Sequence, residues 1–204
     1  MRTKSEEKRQ AILDAAAATF AELGFERASM SAICARLGGS KATLYSYFPS
    51  KESLFLEVMF QASDSDFQNT LQALQSTEGD IEAALHRYGQ RFLGLLYSPN
   101  VMAVRRLLVA EGHRAQVGQR CWDHGPRRGH AILARFLESA MARGALRTAS
   151  TELMTAQLHA LLEAELIDRF VFQHLPPPTT AEMAACSERA IGAFLHLYGP
   201  PVPA

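Results

Sequence analysis

Residues Gly38 to Phe55 read GGSKATLYSYFPSKESLF. Between the Gly-Gly pair and Pro49 stand Ser40, Lys41, Thr43, Tyr45, Ser46 and Tyr47, with Leu44 and Phe48, four apart, as the only large apolar anchors. Ser40 is placed to cap a short helix that cannot pass Pro49, because a proline ring clashes with the preceding turn. A helix this polar has too little apolar surface to be buried on both sides. Its inner side needs only Leu44 and Phe48; its outer side is hydroxyl-rich and weakly basic, and Ala42 permits close approach. Upstream, Ser29 caps a second short helix whose Met30, Ile33 and Leu37 face inward. Two short helices about a glycine turn, after a longer first helix, make a helix-turn-helix. Its last helix is suited to the DNA major groove, with Lys51 and the following helix N-terminus meeting phosphate. The hydroxyl face is left unburied because its partner is double-stranded DNA.

Outward from this stretch the hydropathy period stays near that of an α-helix, so the chain reads as all-α with about nine helices. The first helix begins after Thr3, in a Thr3–Glu6 capping box, and ends at Gly24. The helix opened by Ser50 runs to about Leu74, and Gly79-Asp80 breaks the chain. Further helices are expected at Ile81–Tyr97, from an Asn100 cap through Arg114, at Gln116–Asp123, from Pro126 to Arg143, from Ser150 through His174, and from a Thr179–Glu182 capping box to Tyr198. Residues 1–50 form the DNA-binding domain and 51–204 a larger helical domain.

The 204 residues carry 21 Lys+Arg and 21 Asp+Glu, so net charge selects no partner. Within residues 1–51, however, eight basic side chains face five acidic ones, a net of +3, which suits an anion-facing head. Three dispersed cysteines, Cys34, Cys121 and Cys186, form no CxxC pair and read as reduced thiols. The N-terminus lacks the apolar core of an export signal, and no apolar run is long enough to span a membrane. The expected location is the cytoplasm, with no membrane partner.

The run SKATLYSYFPSKESLF resembles the signature of the TetR/AcrR family of transcriptional regulators, and Phe20, Gly24, Phe25, Ser29, Met30 and Ile33 fall at that family's spacing. Residues 104–130 resemble the AefR-like subgroup. The resemblance implies DNA contact by Ser29, Ser40, Lys41, Ala42, Thr43, Tyr45, Ser46, Tyr47 and Lys51. Two residues depart from the family pattern: Gly39 stands where Val is usual, which loosens the turn, and Cys34 replaces a near-isosteric Ala.

Met59, Phe60, Ser63, Phe67, Tyr88, Phe92, Leu96, Leu107 and Trp122 read as core or as the wall of a cavity for a small-molecule effector; the resemblance implies the cavity. Small residues recur at one-turn spacing in the last helices, at Ala156, Ala160 and Ala164 and at Cys186, Ala190 and Ala193. Such stripes let helices approach closely, against each other or against a twofold mate, and the resemblance implies a four-helix homodimer interface. A helix-turn-helix reads a palindrome as a dimer, so packing and function agree.

Other constellations are poorer. Cys121, His124 and His130, with His113, repeat no zinc-ligand frame. His159 and Glu163 are one turn apart, as many surface pairs are. No nucleophile, phosphate loop or HExxH motif accompanies them, so neither enzyme activity nor a cofactor or metal is expected. The competing reading is a small all-α enzyme or carrier with an incidental helix-turn-helix. It requires carboxylates and histidines gathered on facing helices, a set the sequence lacks. The reading adopted is a homodimeric transcriptional repressor, released from a palindromic operator by an apolar or amphipathic inducer.

Overall fold

The structure, a computed structural model, describes residues 4–74, 80–113 and 115–200, and among them every regular element is an α-helix. In chain order these are α1 (Lys4–Arg27), α2 (Met30–Leu37), α3 (Lys41–Tyr47), α4 (Lys51–Gln72), α5 (Ile81–Leu96), α6 (Pro99–Glu111), α7 (Ala115–His124), α8 (Pro126–Ala142), α9 (Thr151–Glu163), α10 (Ile167–Phe172) and α11 (Thr180–Tyr198). Two compact units result. The first holds the residues up to Ser63 with Ala103–Cys121; the second holds Asp64–Met102 with the residues from Trp122 onward. The expected Thr3 cap and the break at Gly79 lie outside the described residues.

In the first unit the α1 stripe of Ile12, Leu13, Ala16 and Phe20 is buried against Met30, Ile33, Leu44, Phe48, Leu54 and Phe55. Gly24 interrupts α1 with φ 72° and ψ 167°, a conformation disfavoured for residues with a Cβ, and the chain makes one more turn to Arg27. That turn presents Phe25, whose ring packs 4.8 Å from Phe55, while Phe20 meets Phe55 edge-on at 5.1 Å.

The second unit is built on α5, α9 and α11, with α8 laid on α9. Its core joins Tyr88 and Leu93 to Leu133, Leu137, Leu158, Leu162, Ile191 and Phe194. At Gly89 the three helices come closest: a Cβ there would collide with the Ser187 hydroxyl oxygen and sit 2.9 Å from Leu162 Cδ2. The capping box of α11 forms as its sequence foretells, with the Thr179 hydroxyl accepting from the Glu182 amide at 3.2 Å and the Glu182 carboxylate accepting from the Thr179 amide at 2.7 Å.

Two boundaries differ from expectation. The Asn100 cap is replaced by Ser98, whose hydroxyl accepts from the Val101 amide at 3.4 Å. Pro99 then opens α6, since a first-turn residue has no intrahelical use for an N–H. The single helix expected from Ser150 to His174 is two, α9 and α10, parted at Ala164–Leu166. The turn lets Leu162, Leu166 and Phe170 all reach the core. Among the described residues, no helix is long and apolar enough to cross a membrane.

Candidate nucleic-acid interface

The turn between α2 and α3 is set by Gly38, in the left-handed region at φ 68°, with its amide donating to the Cys34 carbonyl at 3.1 Å. Gly39 has no such constraint; a Cβ there would meet Leu37 at 3.4 Å, an ordinary contact. Instead Cys34, buried at this corner, aims its thiol at the Gly39 carbonyl, 3.0 Å away. A thiol in place of alanine thus adds a weak donor to the turn.

Both short helices start on serine. The Ser29 hydroxyl accepts from the Ala32 amide at 3.1 Å and Ser40 accepts from the Thr43 amide at 3.1 Å. Ser40 and Thr43 hydroxyls also pair at 2.9 Å, and Ser46 donates to the Thr43 carbonyl at 2.7 Å. The α3 anchors Leu44 and Phe48 are 0% and 3% exposed, so the opposite face is held outward. On it, Ser40, Lys41, Ala42, Tyr45 and Ser46 are exposed, with Thr43 and Tyr47 half-buried at its edges. Ser29 is exposed at the head of α2. The seven at α3 therefore lie on or beside one accessible, hydroxyl-rich surface.

Lys51 is placed differently. Its ammonium donates to the Phe25 carbonyl at 2.9 Å and lies 4.2 Å from the centroid of the Phe25 ring. Sequence reasoning also missed what steadies the head. Glu57 on α4 takes Arg9 of α1 on one oxygen and Arg120 of α7 on the other, the latter at 3.2 Å. Arg9 lies over the Phe48 ring at 5.5 Å, and Arg120 donates to Ser53 at 2.6 Å. One carboxylate thereby links the end of α3, through Arg9 over Phe48, to α1, α4 and α7.

The residues expected to line a cavity are divided between the units. Met59, Phe60 and Leu107 pack with the first unit's core, to which Ser63 also belongs. Phe67, Tyr88, Phe92, Leu96 and Trp122 belong to the second. Tyr88 is fully buried and hydrogen-bonded to His159, Phe92 and Leu96 border the core, and Trp122 stands 44% exposed with its edge on His130. Phe67 lies beneath the Arg128 guanidinium. His159 is thus no surface residue; its i−4 and i+3 neighbours Thr155 and Leu162 share its buried side, the periodicity that could have signalled it.

Of the small-residue stripes, Ala156, Ala160, Ala164 and Ala193 are exposed, whereas Cys186 and Ala190 are buried in this chain's own core. Among the described residues, no group of three or more His, Cys, Asp or Glu is arranged to hold a metal.

Comparison with known proteins agrees with this geometry. The description "Bacterial regulatory proteins, tetR family" matches residues 12–58, and "AefR-like transcriptional repressor, C-terminal domain" matches residues 83–200. The regulator UidR of Escherichia coli is 33% identical over 100 residues, 46% of this chain and 51% of that protein. The chain thus matches about half the length of this curated relative. A TetR-family transcriptional regulator of Mesorhizobium loti superimposes with a TM-score of 0.82 at 27% identity, over 97% of this chain and 100% of that one. The flavonoid-responsive regulator FrrA does so with a TM-score of 0.72 at 29% identity, over 96% and 99%.

Proposed function

Because this chain belongs to the TetR family of DNA-binding transcriptional regulators, with an AefR-like C-terminal domain, we propose that it is a homodimeric repressor that a small apolar or amphipathic effector releases from a palindromic operator. The observation that carries the reading is the accessible face of α3, held outward by Leu44 and Phe48 and lined by Ser40, Lys41, Ala42, Tyr45 and Ser46. Such a face reads base edges with hydroxyls and meets phosphate with its lysine. Residues 1–50 bind DNA in the cytoplasm; residues 51–204 take the effector and the twofold mate.

The mate is supported by exposed Leu153, Ala156 and Ala160 on α9, with Ala164 just past its end, and exposed Gly192, Ala193 and Leu197 on α11, which packs against α9. An effector response is supported by the likeness to FrrA, named as flavonoid-responsive. Release then requires the effector to bind the DNA-free arrangement better than the DNA-bound one; a tenfold loss of operator affinity corresponds to about 1.4 kcal/mol of coupling.

The test is selection of bound fragments from the source genome by the full chain, followed by titration of the selected fragment at several salt concentrations. A palindromic site and a log–log salt slope of about −3 or steeper are expected from phosphate neutralisation. A flat salt response overturns the reading.

A further inference from the structure

In the second unit, three polar side chains from three helices form one hydrogen-bonded line. The Tyr88 hydroxyl on α5 is 2.7 Å from Nε2 of His159 on α9, and Nδ1 of His159 is 3.2 Å from Nε2 of His130 on α8. The direction of the line follows from its buried end. Tyr88 is 1% exposed and its hydroxyl makes this one bond. A buried O–H with one partner in reach satisfies its proton by donating it there, to His159, and burial, which pushes the phenol up, keeps that proton in place. His159 must then carry its own proton on Nδ1 and donate it to His130, which is left with its proton on the outer nitrogen, Nδ1. Burial lowers both imidazoles, His159 to about 4, so both are neutral near pH 7.

The line therefore ends, at half-exposed His130, in an Nδ1–H that is polarised by the two bonds behind it. Aromatic rings flank the line, Phe92 at its middle and Trp122 at its His130 end. Phe92 lies parallel to His159 at 4.5 Å, with 5° between the planes, and Trp122 meets His130 edge-on at 5.2 Å.

We infer that the Nδ1–H of His130 is the recognition point for an aromatic carboxylate, whose ring is held by Trp122 and Phe92. This deepens the proposed effector response and rests on it. The carboxylate oxygen accepts the hydrogen bond, and Tyr88 and His159 act as positioning residues that keep the His130 tautomer fixed.

Trp122 is the one tryptophan of the chain, so its indole N–H gives a single reporter signal in a nitrogen–proton NMR spectrum of the full-length protein. The probes are 2-naphthoate and naphthalene, the same ring with and without the carboxylate, with affinities measured by calorimetry. The naphthoate is expected to shift the indole signal and to bind about tenfold or more tighter than naphthalene, the worth of one charged hydrogen bond. His130→Phe should abolish that preference. Tyr88→Phe keeps the ring and should narrow the preference by releasing the tautomer. Equal affinity for the two probes, a preference that survives His130→Phe, or an unmoved indole signal overturns the inference. Operator binding by the ligand-free protein is followed in the same samples; only its absence counts against the regulator reading itself.

Discussion

The ammonium of Lys51 closes the end of α1 by donating to the Phe25 carbonyl at 2.9 Å. A cation at a helix C-terminus satisfies orphan carbonyls and opposes the helix dipole, and here it also rests on the Phe25 ring. Lys51→Met should therefore lower the stability of the head by about 1–2 kcal/mol, besides any loss of phosphate contact. Thermal unfolding without DNA decides this: a residue serving phosphate alone would leave the midpoint where it was.

The two turn glycines should respond oppositely. Gly38→Ala meets no neighbour within 4 Å but forces a Cβ into the left-handed region, at a cost of about 1 kcal/mol or more. Gly39→Val meets Leu37 and the Lys8 ammonium at ordinary contact distance and should be close to neutral or stabilising. Denaturant unfolding of both variants checks the pair.

Within the interface, Thr43 and Tyr47 should separate specificity from affinity. Thr43→Ala should relax preference at one base position per half-site by about 1–3 kcal/mol. Tyr47→Phe should weaken all sequences alike, as loss of a phosphate bond does. Competition binding with single-base operator variants distinguishes them.

Ala160 and Ala193 are exposed in the single chain, so an arginine at either position has room in the monomer. In a close helix contact with a twofold mate, the same arginine is a buried unpaired charge costing several kcal/mol. Ala160→Arg and Ala193→Arg should give folded monomers, seen by size-exclusion and circular dichroism, that have lost operator binding. Dimeric, DNA-competent variants would exclude this interface.

The histidine line makes stability depend on pH. Burial first, and then the charge of His130, hold His159 below its ordinary 6.5, at about 4. The unfolded chain binds more protons than the folded one between these values, so stability is full above pH 6.5 and falls as pH drops toward 4. His130, which faces His159 together with Tyr88, is lowered as well and adds to the same slope. His159→Gln should flatten this slope in denaturant midpoints measured from pH 7 to 4.

The helix-turn-helix was legible because its determinants are local. The Ser29 and Ser40 caps, the Leu44–Phe48 spacing and the Pro49 stop each act within a turn or two of chain. The break between α9 and α10 was not, since Ala164, Glu165 and Leu166 are all compatible with a helix and core packing makes the turn. Tyr88 and His159 meet across 71 positions, a pairing no local pattern encodes. Likewise, one-turn spacing put Cys186, Ala190 and Ala193 on one stripe, yet spacing does not say which residues the chain's own core will claim. It claims the first two and leaves Ala193 outside.

The missing side chain at Gly89 restricts how the second unit is able to move. Sliding α5 by a turn along α11 would bring Leu85 or Leu93 to the point where Ser187 and Leu162 already exclude a single methyl carbon. Shear between these helices has to displace Ser187 and Leu162 at this point. A rearrangement of the second unit that keeps α5, α9 and α11 in register avoids that displacement.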